Sequence, residues 1–176
     1  ITCLVTLNFV SHAQNVNIRD VNFKKYLIEN KEINTNGDKE IQVNEAMSYN
    51  GKIDCSSRLI SDLTGIETFI KLTELNCSKN LLKSLDVSKN TELKILNCSS
   101  NQLTNLNISN LTNLKHVRCE NNQLVNLEFT NSTNLITLWC FNNQLPSLDL
   151  TQSINLNTLN CSSNQLTSLN VSKNLK

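Results

Sequence analysis

The stretch Leu114-x-x-Val117-x-Cys119-x-x-Asn122-x-Leu124 decides the fold, because it recurs. The same spacing stands at Leu72-x-x-Leu75-x-Cys77-x-x-Asn80-x-Leu82 and at Leu93-x-x-Leu96-x-Cys98-x-x-Asn101-x-Leu103. It returns at Leu135-x-x-Leu138-x-Cys140-x-x-Asn143-x-Leu145 and Leu156-x-x-Leu159-x-Cys161-x-x-Asn164-x-Leu166. Cys55, Cys77, Cys98, Cys119, Cys140 and Cys161 lie at intervals of 22, 21, 21, 21 and 21 residues, which only a periodic fold produces. Each copy runs on to a second apolar pair: Leu85/Val87, Leu106/Ile108, Leu127/Phe129, Leu148/Leu150 and Leu169/Val171. A degenerate earlier copy passes through Ile53, Cys55, Ile60 and Leu63, with Arg58 in the place of Asn. One unit has too few apolar side chains to offset the entropy of ordering its backbone, so the units fold only as a stack.

Over residues 50–176 this pattern strongly resembles the leucine-rich-repeat family. The segment from Ile60 through Leu63 and Ile66 to Phe69 is similar to the 22-residue turn of internalin-type bacterial repeats, and the later 21-residue units to those of secreted Gram-negative repeat proteins. The resemblance implies an α/β repeat solenoid: a right-handed coil with a parallel β-sheet on its concave face and a short helical N-terminal cap. It also implies a bacterial surface or secreted origin. The expected organisation is a signal-peptide remnant at 1–13, a helical cap at 14–49, and one degenerate plus five 21-residue units at 50–176.

The recurring Asn80, Asn101, Asn122, Asn143 and Asn164 read as structural. An amide carries a donor and an acceptor, and after a strand it can pair the backbone groups that a sharp turn orphans. Six cysteines in an exported chain raise the question of disulfides. Here each occupies an inward strand position where the family usually has Leu, so free buried thiols are expected. Side chains on in-register parallel rungs about 4.8 Å apart point the same way, which disfavours bridging neighbours, and a stacked row offers no tetrahedral cluster for zinc.

Ile1 to Val10 is almost entirely apolar, and Ser11-His12-Ala13 places small residues before a possible cleavage point ahead of Gln14, as at the end of a signal peptide. A buried N-terminal strand is the alternative. The start reads as truncated, and the C-terminal end reads as stopping where another unit should begin. No later apolar run is long enough to span a membrane. A net charge of +1 spread along the chain gives no footprint for nucleic acid or an anionic membrane. With Cys3 and His12 in the leader, His116 is the one mature imidazole, and three glycines make no phosphate loop. No catalytic constellation is present, so no enzyme activity is expected.

In the cap, Asp20 ahead of Val21, Phe23, Leu27 and Ile28 predicts a capped amphipathic helix. Residues 34–45 then resemble a twelve-residue EF-hand or dockerin-type calcium loop followed by a short helix from Val43 to Tyr49. The resemblance assigns Asn34, Asn36, Asp38, Glu40, Gln42 and Glu45 as candidate calcium ligands, with Glu45 at the bidentate position. Asn34 in place of Asp and Lys39 in place of the turn glycine depart from the pattern. The alternative is a polar linker that keeps the loop's shape without the ion. No other cofactor is implied.

Ligand contacts in this family are expected on the concave face. Most positions alternating there with the inward Leu and Cys are small and polar: Asn76 and Ser78, Asn97 and Ser99, Asn160 and Ser162. The exceptions cluster as His116, Arg118 and Glu120 beside Thr137, Trp139 and Phe141. Aromatic residues beside an Arg have the composition of an interface hot spot, although a pair that merely shields the sheet is also possible. The expected function is a monomeric secreted or cell-surface module that binds another protein. A carbohydrate-binding or scaffolding part of a larger secreted enzyme or surface complex is the alternative.

Overall fold

A computed structural model describes residues 14–174, and the leader expected at 1–13 lies outside them. Two helices, α1 (Val21–Glu29) and α2 (Val43–Ser48), precede the strands β1 (Lys52–Asp54), β2 (Glu74–Asn76), β3 (Ile95–Asn97), β4 (Asn105–Asn107), β5 (His116–Arg118), β6 (Asn126–Glu128), β7 (Thr137–Trp139) and β8 (Thr158–Asn160). One parallel sheet runs β1-β2-β3-β5-β7-β8, one strand per coil. A second parallel pair, β4 and β6, lies on the returning side. The molecule is a leucine-rich-repeat solenoid, and among the described residues its helices, apart from a 3-10 turn at Ile66–Thr68, belong to the cap. The second apolar pair of each unit therefore builds extended and turn backbone where an α/β repeat would place a helix.

Strand register is strict, with Ile53, Leu75, Leu96, Val117, Leu138 and Leu159 on successive rungs. Alternation sends these residues and the cysteines inward. Leu72, Leu93, Leu114 and Leu135 join them, and Leu82, Leu103, Leu124 and Leu145 close the far side of each coil.

The ladder asparagines hold the coils to one another. Asn101 Nδ2 donates to the carbonyls of Cys98 in its own coil and Cys77 in the preceding coil, both at 3.0 Å, while its Oδ1 accepts the Leu82 N–H at 3.0 Å. Asn122, Asn143 and Asn164 repeat the pattern one coil further on each time. The residue before each turns the chain through the left-handed region: Lys79 at φ 55°, Ser100 55°, Asn121 57°, Asn142 53° and Ser163 53°. That conformation costs energy in a non-glycine residue and persists because both neighbouring coils determine it. Arg58 departs from Asn for a visible reason. No full coil precedes it, and its guanidinium lies 4.8 Å from the centre of the Tyr26 ring in the cap.

Asp20 ties the cap to the solenoid. Its Oδ1 accepts the N–H groups of Asn22 and Phe23 at the start of α1, and its Oδ2 accepts the N–H and hydroxyl of Ser61. Burial alone would raise this carboxyl's pKa, but those hydrogen bonds outweigh burial and hold it below the usual range. Phe23 and Leu27 are fully buried, and the Tyr26 hydroxyl accepts the N–H of Asp54 at the end of β1. Gly65, at φ 106°, lets the cap backbone approach closely, since a Cβ there would stand 2.9 Å from the Ile18 side chain.

All six described cysteines are free thiols, and all but Cys161 are buried. Burial pushes Cys55, Cys98 and Cys140 up to about 12, and Cys77 and Cys119 well above the ordinary range. The thiolate is the reactive form, so these groups are inert at neutral pH. Of the six ladder thiols, only the partly exposed Cys161 is expected to be alkylated by iodoacetamide in the native chain; modification of Cys98 or Cys119, read by peptide mass, would contradict the packing. Replacing Asn101 with Ala leaves the Leu82 N–H without its acceptor and removes one of the two asparagine donors from each of the Cys77 and Cys98 carbonyls, and should lower the unfolding free energy by about 2–4 kcal/mol. Chemical denaturation measures it, and a loss below about 1 kcal/mol would remove the amide from its stapling role.

Candidate functional site

The concave sheet has a default surface chemistry. In four coils the outward residue at the end of the strand accepts from the Ser two positions later: Asn76 Oδ1 takes the Ser78 hydroxyl at 2.8 Å, Asn97 takes Ser99 at 2.8 Å, Asn160 takes Ser162 at 2.8 Å, and Asp54 takes Ser56 at 2.7 Å. These side chains spend much of their hydrogen-bonding capacity on each other. Two adjacent coils break the pattern, with Arg118 and Glu120 in one and Trp139 and Phe141 in the next.

Register places Arg118 directly beside Trp139, and its guanidinium carbon lies 4.7 Å from the centre of a Trp139 ring. From below, Glu120 Oε1 accepts from Arg118 Nε at 3.0 Å and from Nη2 at 2.5 Å. Alternation along the strand predicts a solvent-facing Glu120, but its side chain is only 2% exposed. Ser78 and Ser99, at the same place in their coils, are buried too. The chain is already entering its left-handed turn there, and the turn draws the third outward position down against the sheet. Glu120 is thus a positioning group for Arg118, and its Oε2 is buried without a hydrogen-bond partner. His116 Nδ1 lies 3.2 Å from Thr137 Oγ1 on the neighbouring strand.

Two apolar residues that sequence reasoning passed over join this surface. Ile95, beside His116 in the register, and Ile136, immediately before β7, are each 36% exposed. Ile136 stands where the other coils have Thr73, Lys94, Lys115 and Asn157, and that departure from a polar column was a readable signal. Ile136 and Lys115 line one shallow depression together with Asn134, Asn155 and Asn157.

The six candidate calcium ligands do share one loop, and its hydrogen bonding determines how a cation would fit. Asn34 Oδ1 accepts the Gly37 N–H, Asn36 Oδ1 that of Asp38, and Asp38 Oδ1 that of Glu40. Asp38 Oδ2 accepts from the amides of both Asn36 and Gln42, at 3.1 and 2.9 Å, and Asn36 Nδ2 also donates to Gln42 Oε1. Glu45, buried, receives Thr35 N–H, Thr35 hydroxyl and Asn36 N–H on Oε1 and Gln42 N–H on Oε2. Glu40 is paired with Lys24 at 2.7 Å. Calcium requires six to eight oxygens with lone pairs turned to one centre. Here the NH2 groups of Asn36 and Gln42 both donate to Asp38 Oδ2, so in this orientation the loop is held by its own hydrogen bonds, and binding the ion would require those two amides to rotate.

No protein-family model matches the sequence, and neither does any curated protein. Solved structures do match in architecture. The functional domain of InlJ from Listeria monocytogenes, which includes a cysteine ladder, is 27% identical, with 92% of this chain and 46% of that one covered and a TM-score of 0.51. An internalin, InlF, from the same species is 21% identical, with 85% of this chain and 45% of that one covered and a TM-score of 0.69. The chain has the leucine-rich-repeat solenoid fold of the internalins. It spans less than half the length of either of these two structures. Set on the internalin-like scaffold, the row of cysteines is a feature shared with InlJ, whereas the Arg118–Trp139 pair is a departure from this chain's own repeat.

The melting temperature of the intact chain is expected to change by less than about 1 °C between excess EDTA and millimolar calcium, because a ligand stabilises only by its differential binding to the folded state. A rise of several degrees with calcium would require the Asn36 and Gln42 amides to rotate and would restore the loop as an ion site.

Proposed function

We propose that this chain is the recognition part of a bacterial secreted or surface protein, and that it binds another protein through the concave face around Trp139. The observation that carries the proposal is the break in the Asn/Ser pairing. Where four coils satisfy their own polar groups, two adjacent coils present a guanidinium stacked on an indole beside a phenylalanine. Arg and Trp are enriched among the few residues that carry most of the binding energy of an interface. The internalin-like fold supports the same reading. Among the described residues no helix is long and apolar enough to cross a membrane.

A protein ligand is favoured over a sugar by the stacking itself. Arg118 covers one face of the Trp139 ring, the kind of surface on which a pyranose would stack. Trp139→Ala is expected to lower retention of the protein ligand by at least tenfold, about 1.4 kcal/mol, while leaving the melting temperature within about 2 °C, since the residue lies on the sheet surface. Affinity capture on the intact and substituted chains, compared by quantitative mass spectrometry and set beside a glycan array, reads the outcome. Unchanged retention, or binding confined to glycans, would defeat the proposal.

A further inference from the structure

We infer that the partner of this concave face is an acidic segment of a protein, one of whose carboxylates docks end-on against Arg118. The inference rests on the recognition reading above and adds the chemistry of the partner.

The guanidinium of Arg118 has two hydrogen-bonding edges. Its side-on edge, Nε with Nη2, is spent on a single oxygen of Glu120. The end-on edge, one proton of Nη1 and the second proton of Nη2, has no protein partner among the described residues. A fork of parallel N–H groups at that spacing matches a carboxylate bidentately. Stacking on Trp139 and the bond to Glu120 hold the guanidinium in one plane, so little side-chain entropy remains to be lost when the second carboxylate arrives. Arg118 is nevertheless 47% exposed on its side chain, against 2% for Glu120. A partner therefore meets the cation and cannot reach its counter-ion.

The surroundings carry the same sign. Lys94 and Lys115 sit on adjacent rungs just before β3 and β5, joined by the hydrogen bond from Lys115 N–H to the Lys94 carbonyl. Both are exposed, and among the described residues neither lies within ion-pair distance of a carboxylate. In the stretches 94–99, 115–120, 136–141 and 157–162, which form this part of the face, three cations stand against one carboxylate, the buried Glu120. The other end of the sheet differs, since Lys52 there is paired with both Asp54 and Glu74. Trp139, Phe141 and Ile136 supply an apolar strip beside the cations. An incoming segment of matching character has Asp or Glu next to an apolar anchor, and charge complementarity of this kind selects against basic partners.

The test is selection of displayed random short peptides on the immobilised intact chain, with each clone re-measured on Trp139→Ala and Arg118→Lys chains that keep the parental melting curve. Clones that depend on Trp139 are expected to be enriched in Asp and Glu by about threefold over the unselected library and to weaken as salt screens the patch. Arg118→Lys keeps the charge and removes the fork, and should weaken those clones by about tenfold. Clones that depend on Trp139 but show no acidic enrichment, or that bind the Arg118→Lys chain equally well, overturn the acidic partner and leave the recognition reading standing. The absence of any Trp139-dependent clone overturns both. Displacement of the acidic clones by the carboxylated polysaccharide alginate at lower concentration than by acidic peptide assigns the carboxylate to a glycan and overturns the peptide partner.

Discussion

Every coil of a solenoid must turn sharply after its strand, and the turn takes carbonyl and N–H groups away from the sheet ladder while leaving them inside the protein. Unpaired, each of them costs about 1–3 kcal/mol. One amide per coil removes the problem, because the side chain of Asn101 reaches the carbonyls of Cys77 and Cys98 and takes the N–H of Leu82. Two of these three partners belong to the preceding coil. A coil therefore completes the hydrogen bonding of the coil before it, and its own is completed by the next. The cooperativity of the stack is local, carried by nearest neighbours.

The same constraint shapes the thiol row. The carbonyls of Cys77, Cys98, Cys119 and Cys140 each remain within reach of two asparagine amides, Cys98 serving both Asn101 and Asn122. A small side chain at that position packs without pushing the rungs apart. The thiols are spectators chemically, since desolvation suppresses the thiolate. On the outer face, the Asn and Ser pairs satisfy one another in the same way and leave a bland surface. Chemistry is left over only where that pairing fails. Glu120 shows what the failure demands: a charge drawn below the surface needs a partner, and Arg118 supplies it while staying half in solvent.

The cap solves the remaining problem of an end without a neighbour. Tyr26 and Asp20 offer the first coil the hydrogen bonds that a preceding coil would have given, and Arg58 replaces the ladder amide to reach the cap ring. The loop between the helices is closed by its own amides on Asp38 and by Glu45. Its likeness to a calcium loop lies in spacing. Spacing reports where oxygens fall along the chain and is silent on which way an amide turns.

Periodicity is a property of sequence, so the solenoid, the inward cysteines, the ladder asparagines and the helix capped at Asp20 were all legible without coordinates. The crowding of unusual residues between His116 and Phe141 was legible as well. The burial of Glu120 was not, because period-two alternation holds within a strand and breaks where the backbone enters the left-handed turn at Asn121. Ile95 and Ile136 could be judged only once it was known which face each exposed position shares. The recurrence of Asn or Asp two residues before Ser was in the sequence to be seen, but its meaning as a self-satisfied pair depended on distances. The sequence by itself determined the scaffold, since one 21-residue period dictates which side chains must be buried together. Only the tertiary structure decided which edge of Arg118 is free, because that depends on how neighbouring rungs align Trp139 and Glu120 around it.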